Sequence, residues 1–594
     1  MGLPVTFLIG LLVVFGVGEL SPPISGSGDL AWLLLTAGAL PVPTMLALRA
    51  RRAARLRAIL PGTKGAPETL LRLSLSTSPL AVLLVAAIGG WPDFVTRWSG
   101  TSHLAGMVLS VLPVVLAEVP RLAFAAQAAA WHELGATALV GAARVRPLLP
   151  SMQEMWPVVR LRLAWVVLLA LPWLAYGVAL DLLSLHRPLG AFVLGTSSGL
   201  TVGFLLFVVA GAVVLPWWFR IAFGTTRELP ADVAWQLRAT ASRMGFDPKR
   251  VLQLPTGMSA INAMMVGPVP VSRCLCLTDA ILRTLDTDAL TGVVAHEVGH
   301  ARMGHPGLLL LLGVVMPLLL LGPVGYLQLE DMGVAIQFVL GGLAVFVIWF
   351  VVRTLAHRFE LEADVASVRE LGAGPCSRAL IAVGGMVLPP RRSFAGRLFT
   401  LHPEESIRLA TMYRYEREPE FRERFRRTSR YLRIAVLSAV TGAGLLALWF
   451  WQADWPYERA IWRFQCGDVA GARTAITDIG TVPDRWQETW TMFGEELAAA
   501  TALAPAATDW ASAREAFTAA AFPRAVEVLR KQGPTAARPW FALALEADAG
   551  DPLLCRQLYD YCRAVRDGDS ERAAAVREVI QRRPVPPDLA PIFR

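Results

Sequence analysis

The sequence predicts a mainly α, polytopic membrane protein of about nine transmembrane helices, with a compact domain built on one histidine-bearing helix and a small β-element, and a C-terminal helical domain. Three observations predict it. The 594 residues are 54% hydrophobic and only 17% charged, with mean hydropathy +0.48, whereas soluble domains carry about a quarter charged residues. Apolar runs near bilayer length recur along the chain, separated by arginine-rich segments. The run 293–305 carries His296-Glu297-Val298-Gly299-His300, preceded by strand-like alternation and followed by two more apolar runs.

Taken in order, residues 4–20 form a first apolar run with no basic segment ahead of it, which reads as an uncleaved span. A turn at 21–28 leads into a second run, 30–48, and then a dense basic loop with Arg49, Arg51, Arg52, Arg55, Arg57 and Lys64. Positive loops stay cytoplasmic, so the N-terminus is expected inside. A third run covers 79–88 and extends toward Phe94. A fourth, 104–130, is interrupted by Glu118, Pro120 and Arg121. Those charges fit a protein-facing position at membrane depth or an interfacial one equally well. Arg144, Arg146, Arg160 and Arg162 mark another inside loop before a fifth span at 163–183. The run 189–223 is read as one span with a lead-in at 195–199. The expected outside loops hold only Arg97 and Arg187.

Residues 224–305 are the first sizeable block outside the membrane. Helical patterning covers 229–244. Strands are expected at 251–254 and 269–277, the second serving as an edge near 274–277, with a turn region at 257–267 between them. Spans at 307–329 and 334–352 enclose a short acidic loop at Glu330-Asp331 and return the chain to the side it left. Residues 353–430 are then cytoplasmic, a ninth span runs 434–451, and 452–594 lie on the far side. Domain boundaries follow: 1–220 transmembrane, 221–430 catalytic with the hairpin 307–352, 431–452 last span, 453–594 C-terminal.

Arginine supplies almost all of the +9 net charge, since the lysines are only Lys64, Lys249 and Lys531. These arginines sit where membrane topology wants them, so no nucleic-acid function is read from them. The six cysteines form neither a zinc-ligand array nor a disulfide framework.

The chemistry is expected at 296–300. Four residues apart on a helix, His296 and His300 lie about 40° apart around the axis and face one way. Two imidazoles so placed can take two corners of a zinc tetrahedron, and Glu297 beside the first can accept a proton from a metal-bound water. Asp286 to Asp288 can cap the start of this helix. Beyond the hairpin, Glu360 and Asp364 share another helix face. Glu360 can supply a third ligand and leave the fourth position open, while Asp364 can hold a ligand imidazole in one tautomer.

This joint pattern resembles the M48 family of integral-membrane zinc metallopeptidases, which includes CAAX prenyl proteases of the Ste24 type and the bacterial heat-shock protease HtpX. The features that carry it are His296 to His300, the apolar hairpin, Glu360 to Asp364, Asn262-Ala263 with Gly267, Leu277-Thr278 with Ile281-Leu282, the run His300 to His305, and His402-Pro403 with Arg408. The resemblance covers about 220–415. It implies a zincin-like domain holding one zinc ion, a role for His402 near the substrate carbonyl, a supporting place for Arg408, and Asn262 in the strand that meets substrate.

The C-terminal block reads as short helices. The stretch 457–476 forms a helix-turn-helix of tetratricopeptide type, with a similar rhythm at 511–532 and 537–582. The period is irregular, so a generic helical domain remains the alternative; either could offer a surface to a protein partner.

The expected function is zinc-dependent endoproteolysis of membrane or membrane-proximal proteins, in the bacterial plasma membrane, with the zinc site on the cytoplasmic side. Removal of terminal residues from prenylated proteins and a non-proteolytic scaffold with a structural metal are the alternatives.

Overall fold

The computed structural model describes residues 38–59, 67–85, 102–140, 152–224, 226–256, 261–326, 334–386, 402–581 and 589–593, with Trp91, Val95 and Ser99 as single positions. The run 4–20, residues 30–37 of the second run and the loop at Glu330-Asp331 lie outside them. Two compact units emerge, one from Gly28–Val178 with Phe207–Leu445, the other from Ala179–Leu206 with Leu446–Arg594.

In the first unit, helices Pro41–Ile59, Pro67–Leu83 and His103–Val140 pack together. The arginines at 49–57, expected in a loop, lie on the Pro41–Ile59 helix. Ala47, Ala50 and Ala54 are buried along it, spaced at three and four residues, so the basic stretch keeps an apolar stripe that docks the helix. Pro113 and Pro120 sit inside the His103–Val140 helix, which continues through both. Glu118 and Arg121 are buried against each other one turn apart, Arg121 Nε donating to Glu118 Oε2 at 3.1 Å. Of the two placements open from sequence, the protein-facing one holds.

Four helices among the described residues are long and apolar enough to cross a membrane: His103–Ala125, Val166–Ser184, Ser197–Phe223 and Pro419–Gln465. Nine spans are therefore not borne out among these residues. Most of the run 189–223 is one long helix, Ser197–Phe223, while its first residues lie in the short helix Arg187–Gly195, with a break at Thr196. The hairpin is present as the helices His305–Tyr326 and Val334–Leu371. Phe346 and Phe350 are about half exposed on the second arm, as lipid-facing side chains would be. That arm does not stop near 352. It runs unbroken to Leu371, so one helix carries both the hairpin's apolar face and the Glu360 to Asp364 pair.

The sheet corrects the strand reading. Its order is β1-β3-β2, with β1 Val251–Leu254, β2 Ala263–Val266 and β3 Cys274–Thr278. β3 pairs in parallel with β1 and antiparallel with β2, so it is central and has no free edge. β2, inside the segment expected to be a turn, is one of the two edge strands. The extended reading of 269–273 fails at Pro270, which lacks an N–H to donate; these residues turn instead.

The second unit closes on its own core. Phe517, Phe541, Leu558 and Phe593 are buried among helices Trp510–Gln532, Pro534–Glu546, Pro552–Arg566 and Ser570–Gln581. The expected helix-turn-helix forms: Gly467 at φ +82° ends the Pro419–Gln465 helix, and Asp468 caps Val469–Thr477. Arg187 Cζ lies 3.2 Å from the Trp510 ring centroid, with Nη2 donating to Glu546 at 2.5 Å.

Candidate metal centre

The motif helix is Thr287–Met303. Asp286 caps it, Oδ1 accepting from the Ala289 N–H at 2.7 Å, and Gly304 at φ +73° ends it in the left-handed region. Two glycines seven residues apart set its packing. A Cβ at Gly299 would meet the Ala363 carbonyl oxygen at 3.0 Å, and one at Gly292 would meet the Ala379 Cβ at 2.5 Å. The absence of a side chain at Gly299 lets the motif helix lie directly against the Val334–Leu371 helix, and at Gly292 against the Ala373–Met386 helix. The contact at Gly299 brings Glu360 to the histidines.

His296 Nε2 and His300 Nε2 are 3.2 Å apart. His296 Nε2 is 3.6 Å from Glu360 Oε2, and His300 Nε2 is 3.5 Å from Glu360 Oε1. Zinc bonds of about 2.0–2.1 Å in a tetrahedron imply ligand–ligand edges of about 3.3 Å. The three edges match that scale. His296 Nδ1 lies 2.9 Å from Asp364 Oδ1, which puts its proton on Nδ1 and leaves the Nε2 lone pair for the centre. Convergent lone pairs and a carboxylate repel without a cation, so the donor set fits a divalent metal.

Asp364 is in turn held by Arg408, through Nε to Oδ2 and Nη2 to Oδ1. Burial opposes the Asp364 charge, but Arg408 and His296 outweigh it and hold the carboxyl below its ordinary range. Burial alone would lower His296; the Asp364 hydrogen bond and charge reverse this and raise it. Glu360 is likewise opposed by burial, yet hydrogen bonds from His300 and His402 and the nearby imidazoles hold it far below a normal carboxyl. Glu297 goes the other way. Burial dominates and raises its pKa.

Of the remaining expected residues, His402 reaches the cluster, whereas the contacts of Asn262 are with the sheet. His402, more than half exposed, places Nδ1 3.1 Å from Glu360 Oε2. Asn262 stands just before β2: its N–H donates to Thr278 Oγ1 and its carbonyl accepts from the Thr278 N–H, so it fixes the register of the edge strand. The Met265 backbone N–H of that strand faces the Glu297 carboxylate, which puts the edge beside the base.

Sequence reasoning missed one chain of contacts. His300 Nδ1 is 3.0 Å from His305 Nδ1, His305 Nε2 is 3.2 Å from Glu362 Oε2, and Arg433 Nη2 donates to that oxygen at 3.1 Å. His305 and Glu362 are both about 99% buried, and the His305 ring stacks on Phe359 at 4.3 Å. The available signal was Glu362, a second carboxylate two residues past Glu360 in a helix leaving an apolar span.

Two ligand imidazoles, a carboxylate from a distant helix and an adjacent buried glutamate are the layout of a metallopeptidase centre. Residues 228–416 match Peptidase family M48. The chain is similar to proteins named Protease HtpX homolog from Thermococcus sibiricus (28% identity over 142 residues, 22% of this chain and 46% of the relative), Aeropyrum pernix (29% over 126 residues, 20% and 39%) and Pyrococcus furiosus (26% over 113 residues, 19% and 38%). It thus spans less than half the length of each of these curated relatives.

Proposed function

We propose that the chain is a zinc-dependent, membrane-embedded endopeptidase that hydrolyses peptide bonds of membrane or membrane-proximal proteins, in the manner of a quality-control protease. The observation that carries this is the meeting of Glu360 with His296 and His300 across the helical hairpin. Zinc bound there would polarise a water and the scissile carbonyl. Glu297 takes the water's proton and passes it to the leaving amine. Asp364, held by Arg408, keeps His296 presenting Nε2. His402, at the exposed rim, stabilises the developing oxyanion; loss of such a donor costs on the order of a hundredfold in rate. β2 receives an extended substrate as an added strand. The inside-positive arginines support a cytoplasmic zinc site in a bacterial plasma membrane, with the C-terminal helical unit on the opposite side offering a surface to a protein partner.

The test is Glu297→Gln in the full-length protein in detergent. Zinc content should stay at one per chain while cleavage of an unfolded membrane-protein substrate disappears. Unchanged cleavage rejects the assignment. Preference for a farnesylated peptide over its unmodified form would redirect the substrate class to prenylated proteins, and full cellular function of the Glu297→Gln form would favour the scaffold.

A further inference from the structure

A cavity of about 460 Å³ opens beside the end of the Ser197–Phe223 helix, and its lining includes none of His296, His300 and Glu360. Arg220, Arg227, Lys249, Arg250 and Arg273 line it, and its one acidic lining residue, Glu228, is paired with Arg238. Arg273 belongs to the wall. Its guanidinium is spent on the carbonyls of Gly267 at 3.1 Å, Ala301 at 2.7 Å and Pro268. Arg220 and Lys249 are different: among the described residues neither has an acidic partner within ion-pair distance, and both are exposed. Ser272 adds an independent sign. Its Oγ is buried at the cavity and makes no hydrogen bond, although a buried hydroxyl without one is costly.

The surroundings select the anion. Trp217 and Arg220 lie in the last two turns of an apolar 27-residue helix, where interfacial tryptophans and arginines meet lipid headgroups. Trp217 is 53% exposed, Ile221 66% and Val271 71%. A free phosphate would satisfy the cations and leave this apolar rim in water; a phospholipid satisfies both. We propose that the cavity holds the phosphate-bearing headgroup of an anionic phospholipid, with Arg220 and Lys249 on the phosphate, Ser272 donating to it, and the acyl chains against Trp217 and Ile221. The proposal rests on reading Ser197–Phe223 as a membrane span.

The test uses full-length protein in detergent, with phosphatidylglycerol, phosphatidylcholine and inorganic phosphate as separate probes, read by native mass spectrometry and by ligand-induced thermal shift. The Arg220→Gln/Lys249→Gln pair should weaken phosphatidylglycerol binding roughly thirtyfold, at about one surface charge's worth per residue. Arg424→Gln/Arg427→Gln, a charge-matched pair on the Pro419–Gln465 helix, should leave it unchanged. Equal losses in both pairs, no preference for phosphatidylglycerol over phosphatidylcholine, or inorganic phosphate stabilising as well as lipid would each overturn the proposal. Alkaline washing of membranes tests the underlying reading separately: release of the chain sinks the span itself, whereas retention without lipid selectivity sinks only the cavity assignment.

Discussion

Arg408 grips Asp364 through two parallel hydrogen bonds, Nε to Oδ2 at 2.8 Å and Nη2 to Oδ1 at 2.7 Å. The same Oδ1 lies 2.9 Å from His296 Nδ1. One carboxylate thus receives a fork from an arginine and fixes the tautomer of an imidazole. Asp364→Asn keeps the shape but lets the amide present the wrong group to Nδ1. Zinc affinity, measured by competition with a chromophoric chelator, should fall about 10–100-fold with the fold retained by circular dichroism. Arg408→Lys should fall between this variant and wild type, because an ammonium cannot make the two-pronged contact. Wild-type affinity in Asp364→Asn would remove Asp364 from the site's support.

On the other ligand, His305 does for His300 what Asp364 does for His296. If the His300 proton sits on Nδ1, it donates to His305 Nδ1, and His305 must then carry its own proton on Nε2, facing the Glu362 carboxylate 3.2 Å away. His305→Phe keeps the ring and its stack on Phe359 but deletes the acceptor. It should lower zinc affinity on the order of tenfold and speed zinc loss to chelator. His305→Asn, which retains a hydrogen-bonding group, should recover part of the loss. Equal affinities across wild type, His305→Phe and His305→Asn would make the contact purely a packing one.

The residues of the cluster, His296, His300 and Glu360, were legible because each motif that carries them is local. A four-residue spacing on a helix decides which way two side chains face, and Glu360 to Asp364 repeats that spacing after the hairpin. The pairing order of the sheet was not. Alternation shows that Cys274 to Leu277 is extended, but whether a strand has a neighbour on each side depends on residues far along the chain. The Val334–Leu371 helix shows the same limit: Arg353 marks the end of the apolar run, but the backbone needs no change of conformation there. His305, Glu362 and Arg433 meet from three helices, so no window of sequence contains their relationship.

The edge position of β2 carries a prediction that the sequence reading would have assigned to the wrong strand. The Asn262 carbonyl accepts from the Thr278 N–H, the Asn262 N–H donates to Thr278 Oγ1, and Met264 stands opposite Cys276. In an antiparallel ladder the residues between them, Ala263 and Met265, turn their backbone groups outward. Ala263→Pro removes one outward N–H without breaking a bond to β3. One neutral hydrogen bond is worth about 0.5–1.5 kcal/mol, so KM for an extended peptide substrate should rise a few-fold to about tenfold, with kcat and zinc content near wild type. A loss confined to kcat would place substrate elsewhere than on this edge.

In the C-terminal unit, Arg538 is about 1% exposed and donates to Glu495 at 3.0 Å and Glu496 at 2.8 Å, with a third contact to the Met492 carbonyl at 3.3 Å. Burial already raises the Glu496 pKa despite the adjacent guanidinium. Arg538→Ala therefore strips the compensating charge from a half-buried acidic pair and leaves a hole in the helix packing. Breaking a buried pair from one side costs about 3–5 kcal/mol, discounted here because Glu495 is more than a third exposed. Replacing Arg538 together with the more buried Glu496, as Arg538→Met with Glu496→Leu, should cost far less, because the one carboxylate left unpaired, Glu495, is more than a third exposed. Hydrogen exchange on the full chain should show faster opening of the Asp484–Leu503 and Pro534–Glu546 helices in Arg538→Ala than in the double variant. The reverse order would mean that the ion pairs contribute little and that the arginine's apolar stem holds these helices together.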